Sequence, residues 1–251
     1  MTLRKRIIPC LDIDKGQTVK GVNFSNMEVL GSPLAFAAQY EADGADELVF
    51  LDISATKEKR KTLLPLVEDI AANLRIPFTV GGGINTLEDA ALILKSGADK
   101  VALNSAAVQQ PELIEQIASR FGSQCVVAAV DVMQSQGNWQ VMIHAGKTPT
   151  SWGALAWCKR LEVLGAGEVL LTSMNHDGTK QGFAIDLLKA VDDCIRLPLI
   201  ASGGAGNAAH FEALFTQTKV NAALAAGIFH RNQCPIPTLK KSLKEKGILV
   251  R

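Results

Sequence analysis

Short runs of β-branched and apolar residues alternate along the chain with longer stretches in which apolar residues recur at helical spacing. The clearest helical stretches are residues 86–96, 111–121 and 152–165. Such alternation is typical of βαβ units and predicts a parallel sheet. The eight strand candidates are residues 6–12, 47–52, 78–81, 100–103, 125–131, 168–172, 199–202 and 222–225.

The number of these units indicates how the sheet closes. Eight strand–helix units in 251 residues favour an α/β fold of the closed (β/α)8 type, the TIM barrel, over an open sheet. No linker-like stretch divides the chain, so we expect a single domain over residues 1–251. We expect residues 13–32 to form a long loop without regular structure, and residues 132–147 to form an added hairpin with Gly137 at its turn.

The sequence also repeats itself at half its length. Residues 76–83 resemble residues 197–204, residues 47–52 resemble residues 168–173, and Asp12 and Asp131 each end an apolar strand. The members of each pair are about 120 residues apart, which indicates two duplicated (β/α)4 half-barrels. A duplicated half-barrel presents each of its sites twice, on opposite sides of one face.

Asp12 and Asp131 are the first candidates for chemistry. Active sites of such barrels form at the carboxyl ends of the strands, where burial can raise the pKa of a carboxyl group. A pair of carboxyl groups can divide the roles of acid and base. The alternative is that each aspartate stabilises a turn, but their relation through the repeat favours function.

Two glycine clusters follow strands and precede helices, one at residues 81–83 and one at residues 203–204. Glycine allows backbone amides to approach an anion closely, and a helix N-terminus favours negative charge. Asn104 with Ser105, and Ala226 with Gly227, follow the next strand of each half. One cluster alone would be read as turn glycines, whereas two equivalent sets predict two phosphate sites.

Further polar residues lie at or just after strand ends, namely Asp52, Ser54, Ser173 and Asp177. Asp177 begins a turn that could support the second phosphate site or bind a sugar hydroxyl, or it could only stabilise the turn. Lys20 lies in the first loop between Gly16 and Gly21, where it could close over an anionic substrate or remain a surface lysine.

A set of charged residues lies near the strand starts, at the other end of the barrel. Two bases and two acids there could form a ring, which would ordinarily stabilise the fold. They are Arg6, Glu47, Lys100 and Glu168.

Composition excludes several classes of protein. The net charge is +1, with 26 basic and 25 acidic residues, so we expect no nucleic-acid partner. No window is long and apolar enough for a membrane span, and the N-terminus does not read as a signal peptide. The 5 cysteines lack metal spacing and suggest reduced thiols in the cytoplasm. The 4 histidines show no metal-binding spacing, so we read them as surface or packing residues and expect neither metal nor cofactor.

Six segments together resemble one family, the cyclase subunits of imidazole glycerol phosphate synthase, and the resemblance covers nearly the whole chain. They are residues 6–12, 19–24, 46–55, 80–84, 177–180 and 200–206. The resemblance implies histidine biosynthesis, with ammonia attacking a ribulosyl aminoimidazole carboxamide nucleotide that carries two phosphates. It also implies a separate glutaminase subunit, which docks on the bottom of the barrel and sends ammonia through its interior.

The resemblance assigns roles to matching residues. Asp12 would be the general base, Asp131 the general acid, and Lys20 part of the closing loop. One phosphate would be held by Gly83, Asn104 and Ser105, and the other by Asp177, Gly178, Gly204, Ala226 and Gly227. The charged ring of Arg6, Glu47, Lys100 and Glu168 would be the gate through which ammonia enters.

Four positions depart from the family pattern, at Ser32, Asn175, Ala184 and Gly227. The first three stand where aspartate is common, and Gly227 stands where serine is usual.

Two other functions remain open. The chain could be the sister isomerase of the pathway, which needs no ammonia, or a non-catalytic channelling partner of an amidotransferase. The charged ring favours the cyclase over the isomerase, and the two aspartates argue against a non-catalytic role.

Overall fold

The computed structural model describes residues 3–22, 25–53, 64–135 and 137–251. Ser54, one of the polar candidates, lies outside these residues. Twelve strands are described within them: β1 (Arg6–Asp14), β2 (Gln17–Val22), β3 (Ser25–Gly31), β4 (Leu48–Asp52), β5 (Phe78–Gly81), β6 (Lys100–Leu103), β7 (Val126–Ser135), β8 (Asn138–Ile143), β9 (Thr148–Gly153), β10 (Glu168–Ser173), β11 (Leu199–Ser202) and β12 (Ala222–Ala225).

The described helices lie mostly between the barrel strands. They are α1 (Pro33–Ala42), α2 (Leu64–Asn73), α3 (Leu87–Lys95), α4 (Ser105–Gln109), α5 (Glu112–Phe121), α6 (Ala154–Val163), α7 (Ile185–Asp192), α8 (Ala208–Gln217), α9 (Gly227–His230) and α10 (Ile236–Glu245). In the described ranges, no helix is both long and apolar enough to cross a membrane.

Eight parallel strands close into a barrel, in the order β1, β4, β5, β6, β7, β10, β11 and β12. Closure is made by β12 against β1, where Arg6 pairs with Ala222 and Ile8 pairs with Leu224. The halves of the repeat meet at β7 and β10, where Val127 pairs with Glu168. The predicted (β/α)8 barrel is therefore confirmed.

The alternation of side chains along β1 explains how the barrel positions its two polar ends. Ile8 and Cys10 belong to the core inside the barrel, and Ile7 and Leu11 belong to the larger core between strands and helices. Because side chains alternate with a period of two, Arg6 and Asp12 share the inward face with Ile8 and Cys10. The barrel interior thus runs from a charged end, through an apolar layer, to a carboxylate.

The predicted helices are confirmed with small shifts of their ends. Thr86 caps α3 in a reciprocal capping box with Asp89, which fixes where that helix begins. The helix predicted from residue 152 begins instead at Ala154, because Trp152 belongs to the last strand of an added sheet.

Both loops after Asp12 and Asp131 carry hairpins. The expectation that residues 13–32 lack regular structure was wrong, because β2 pairs with β1 and with β3 in that segment. The predicted hairpin at residues 132–147 is confirmed as β7 against β8, with β9 adding a third strand. The two aspartates therefore each lie at the base of a hairpin that rises from the barrel.

Candidate active site

A cavity of about 520 Å³ opens at the carboxyl ends of the barrel strands. All eight barrel strands, or the loops directly after them, contribute to its lining. Its size is typical of a small-molecule site. The sequence-predicted residues that line it are Asp12, Lys20, Asp52, Gly83, Asn104, Ser105, Asp131, Asp177, Gly178, Gly204, Ala226 and Gly227.

Asp12 forms an ion pair with Lys20 inside this cavity. The Lys20 Nζ lies 3.0 Å from the Asp12 Oδ2, and both side chains are largely buried. Burial alone would lower the pKa of Lys20, but the charges of Asp12 and Asp177 raise it above its ordinary value. Lys20 is therefore cationic at neutral pH, and its charge lies directly against the Asp12 side chain.

Asp131 lies in a different electrostatic environment. Burial, supported by the nearby charge of Asp177, raises the pKa of Asp131 to about 7, against the lowering effect of a hydrogen bond from Asn104. In that bond the Asn104 Nδ2 donates to the Asp131 Oδ2 over 2.7 Å. A carboxyl group with this pKa can both hold and release a proton near neutral pH, as a general acid must.

Asp177 connects the two aspartates electrostatically. Burial raises the pKa of Asp177, and Asp12 raises it further, whereas the charge of Lys20 lowers it.

Ser173 does not lie where a substrate-binding residue is expected. It is buried, and its hydroxyl lies 2.9 Å from the Nδ1 of His176, so in the described structure it supports the Asp177 loop and does not line the cavity.

The first glycine cluster lies against the strand end of β4. A Cβ at Gly82 would overlap the backbone carbonyl of Asp52, and both Gly82 and Gly83 have positive φ, so a side chain is excluded at Gly82. Ser105 begins α4 beside them and accepts a hydrogen bond from the His144 N–H over 2.9 Å. The Ser105 hydroxyl proton thus remains available to an anion. We call Gly83, Asn104 and Ser105 the first subsite.

The second cluster repeats this arrangement in the other half of the barrel. A Cβ at Gly204 would overlap the carbonyl oxygen of Gly182, and the φ of Gly204 is +97°. Gly227 begins α9, the counterpart of α4. A Cβ at Gly227 would have Lys20 Cε as its nearest neighbour, at 3.8 Å, so the residue faces the lysine that pairs with Asp12. We call Gly204, Ala226 and Gly227 the second subsite.

The four charged residues at the opposite end of the barrel form one network. Arg6 donates to Glu47 over 2.7 Å and also pairs with Glu168. Lys100 Nζ lies 2.9 Å from Glu47 Oε2 and 3.2 Å from Glu168 Oε2. Burial would raise the pKa of Glu47, but Arg6 and Lys100 lower it below its usual value. Signs alternate around the ring, which closes the bottom of the barrel.

The structure also shows what three of the departures do. Asn175 accepts a hydrogen bond from the Gln134 N–H over 2.7 Å, so it ties the loop after β10 to the hairpin after β7. Ser32 and Ala184 precede α1 and α7, and neither side chain caps its helix. These departures therefore affect loop and helix ends, while the two aspartates keep their places.

Sequence reasoning missed several cavity residues, chiefly His144, Lys147, Lys180 and Arg231. The histidines had been read as surface or packing residues, yet His144 lines the cavity next to Ser105. Of the segments that carry these residues, the one between β8 and β9 shows a turn signal in the sequence, namely Gly146. His144 and Ala145 share its left-handed backbone, with φ of 54° and 55°.

The fold and the cavity define a (β/α)8-barrel enzyme whose site is lined by several aspartates, among them Asp12 and Asp131, and by two glycine clusters. A model of the family described as histidine biosynthesis protein matches residues 6–235, and the chain belongs to this family.

Curated relatives extend the match over the whole chain. The relatives from Flavobacterium johnsoniae and Flavobacterium psychrophilum are 51% and 52% identical over 249 residues, which is 99% of this chain and 99% of each relative. The relative from Geobacillus kaustophilus is 52% identical over 251 residues, covering 99% of this chain and 100% of its own. All three are named imidazole glycerol phosphate synthase subunit HisF. The resemblance found in the sequence is thereby confirmed.

Proposed function

We propose that this chain is the cyclase subunit of imidazole glycerol phosphate synthase. It uses ammonia to convert the bis-phosphorylated ribulosyl aminoimidazole carboxamide nucleotide (PRFAR) into imidazole glycerol phosphate and the carboxamide ribotide AICAR. The observation that carries this proposal is one cavity that is lined by Asp12, by Asp131 and by both glycine clusters. The names of the relatives support it.

The two aspartates differ in the way that acid–base chemistry requires. Asp12 forms an ion pair with the cationic Lys20, so it is suited to accept a proton as the general base. The pKa of Asp131 is about 7, so it is suited to donate a proton as the general acid. Two carboxyl groups of one site that lie in such different environments are the expected acid and base pair.

The substrate spans the cavity with one phosphate in each subsite. Gly83, Asn104 and Ser105 bind one phosphate, and Gly204, Ala226 and Gly227 bind the other, with Asp177 and Gly178 beside it. Asp52 completes the polar surroundings, whereas Ser173 acts indirectly by supporting the loop that carries Asp177. The positive φ angles at both glycine clusters support this assignment, because they leave backbone amides uncovered by side chains.

A separate glutaminase subunit supplies the ammonia and docks at the N-terminal face of the barrel, forming a heterodimer. Arg6, Glu47, Lys100 and Glu168 form the gate there, which replaces the reading of this ring as a purely stabilising feature. Inside the ring, small and apolar side chains such as Cys10 and Ala102 line the barrel. Neutral ammonia passes such a layer more easily than ammonium does, because burying a charge is costly.

The five cysteines, all unpaired, support a cytoplasmic location.

Product formation from PRFAR, measured with and without ammonium, tests the proposal. We expect imidazole glycerol phosphate only when ammonium, or glutamine with the glutaminase, is present. Equal turnover without ammonia would favour the sister isomerase. Absence of product under both conditions would favour a non-catalytic channelling partner, and full turnover by the double variant Asp12→Asn, Asp131→Asn would exclude these carboxylates as the acid and base. An exposed variant, Lys219→Met, serves as the control.

A further inference from the structure

The rim of the cavity carries three cationic side chains that the proposed chemistry leaves unassigned, namely Lys147, Lys180 and Arg231. All three residues are exposed to solvent, so their charged ends can move toward a ligand. They are also distributed unequally between the halves of the repeat. Lys147 lies on the side of the first subsite, whereas Lys180 and Arg231 lie on the side of the second.

Lys180 is held over the second subsite by its backbone. The Gly182 N–H donates to the Gly204 carbonyl over 2.8 Å, and a Cβ at Gly206 would collide with Lys180. Lys180 itself has a φ of 59°, which a residue with a side chain rarely adopts. Its Nζ donates to the Oε1 of Gln233 over 2.8 Å. Because that partner is neutral, it leaves the charge of Lys180 uncompensated.

Arg231 directly follows α9, the helix that begins at Gly227. Its N–H donates to the Gly227 carbonyl over 3.1 Å, so the two residues move together. Its guanidinium lies 3.4 Å from Glu28 on β3, with side chains 49% and 64% exposed. Such an exposed pair contributes little, and a phosphate can replace it through paired hydrogen bonds to the guanidinium.

The acidic groups near the second subsite do not cancel these charges. Asp177 begins the loop that carries Lys180, but burial raises the pKa of Asp177, which disfavours its charged form. Lys20 forms the ion pair with Asp12. Among the described residues, Lys180 and Arg231 thus remain as the rim cations available to a phosphate at this subsite.

Lys147 is the corresponding group at the first subsite. The turn before it is tied to α4 by the His144 N–H, which donates to the Ser105 hydroxyl. The His144 ring also lies 3.2 Å from the amide nitrogen of Gln109 at the end of α4. Among the residues that the structure describes, this subsite therefore has one rim cation, where the second has two.

We propose that the two phosphate subsites are unequal, and that Lys180 and Arg231 make the second subsite the stronger one. The inference rests on the proposed function, since it concerns a substrate with a phosphate at each end. The second subsite then anchors one phosphate while the other end of the substrate is still exchanging at the first. Lys180 and Arg231 are residues that determine affinity for phosphate, and they take no part in proton transfer.

Titration of the full chain with inorganic phosphate tests this inference, with the amide resonances of Ser105 and Gly227 reporting the two subsites separately. We expect the dissociation constant at Gly227 to be at least about threefold lower. We expect Lys180→Met and Arg231→Gln each to weaken binding at Gly227 about tenfold, the scale of one charged hydrogen bond. Binding at Ser105 should change less than about twofold, and Lys147→Met should have the converse effect.

Two matched variants control the experiment. Lys219→Met removes an exposed lysine whose side chain pairs with Asp193, away from both subsites, and should change neither constant. Arg231→Lys retains the charge without the paired donors and should restore part of the affinity, and it carries the test if Arg231→Gln does not fold. Equal constants at the two subsites, or equal weakening of both by Arg231→Gln, would overturn the inference alone. Absence of phosphate shifts at both Ser105 and Gly227 would overturn the proposed phosphate subsites as well.

Discussion

Replacing Asp131 by asparagine removes one proton from the site and little else. Asparagine has nearly the shape of aspartate, and its side-chain oxygen can keep the 2.7 Å bond from Asn104. It cannot donate an acidic proton. If Asp131 is the general acid, turnover should fall by about 100-fold to 10,000-fold, the usual contribution of a positioned acid or base. The KM for the substrate should stay within about threefold.

The pH dependence follows from the same carboxyl group. The acid works only when it is protonated, and the pKa of Asp131 is about 7. Wild-type kcat should therefore fall as the pH rises through about 7, by about tenfold for each further pH unit. Asp131→Asn should lack this limb. The assay must hold the concentration of NH3 itself constant, by adjusting total ammonium at each pH, because NH3 otherwise rises with pH.

The Asp131→Asn variant should gain stability while it loses activity. The pKa of Asp131 is raised on folding, so its contribution to stability is full at low pH and is lost as the pH rises through about 7. A shift of three units corresponds to about 4 kcal/mol, and exposure to the cavity reduces the expected cost to about 1–2 kcal/mol. Asp131→Asn should therefore raise the free energy of unfolding at pH 8 by about 1–2 kcal/mol, and hardly at all at pH 4.

One result would refute this reasoning. If Asp131→Asn retains more than about half of the wild-type kcat at pH 6 and keeps the limb near pH 7, Asp131 is neither the acid nor the titrating group. Denaturant unfolding of the same variant separates this outcome from misfolding. A variant that is both more stable at pH 8 and nearly inactive supports the assignment, because no loss of structure accounts for its inactivity.

Three further outcomes are expected. Asp12→Asn should lower kcat at least about 100-fold. It should also lower the pKa of Lys20, measured by NMR, because the ion pair is lost. An unchanged kcat would exclude Asp12 as the base. Arg6→Met leaves Glu47 and Glu168 with Lys100 as their cation and should lower the free energy of unfolding by about 3–5 kcal/mol. Lys219→Met, in an exposed pair, should lower it by less than about 1 kcal/mol. Equal losses would show that the ring is not a buried network. Ala184→Asp supplies a capping side chain before α7 and should add about 0.5–1 kcal/mol, which thermal unfolding would register; a loss of stability would mean that the backbone there cannot accept a cap.

The sequence by itself determined the barrel, because its signals are local and repeated. A period of two along each strand, helical spacing between strands and glycine after strand ends are all readable within a few residues. The internal repeat then pairs Asp12 with Asp131, and residues 81–83 with 203–204, from the sequence alone. These positions lie in one cavity, since parallel strands bring their carboxyl ends to one face.

Tertiary structure alone decided which side chains surround that cavity and how they are charged. The segment of residues 13–32 looked irregular, yet it forms strands, because β2 and β3 are stabilised by pairing with β1 and with each other. Lys147, Lys180 and Arg231 reach the rim from three separate segments of the chain, so no spacing in the sequence could group them. The difference between Asp12 and Asp131 has the same origin. Each ends an apolar strand, but Lys20 pairs with Asp12, whereas burial raises the pKa of Asp131 against a hydrogen bond from Asn104, and both environments exist only once the chain is folded.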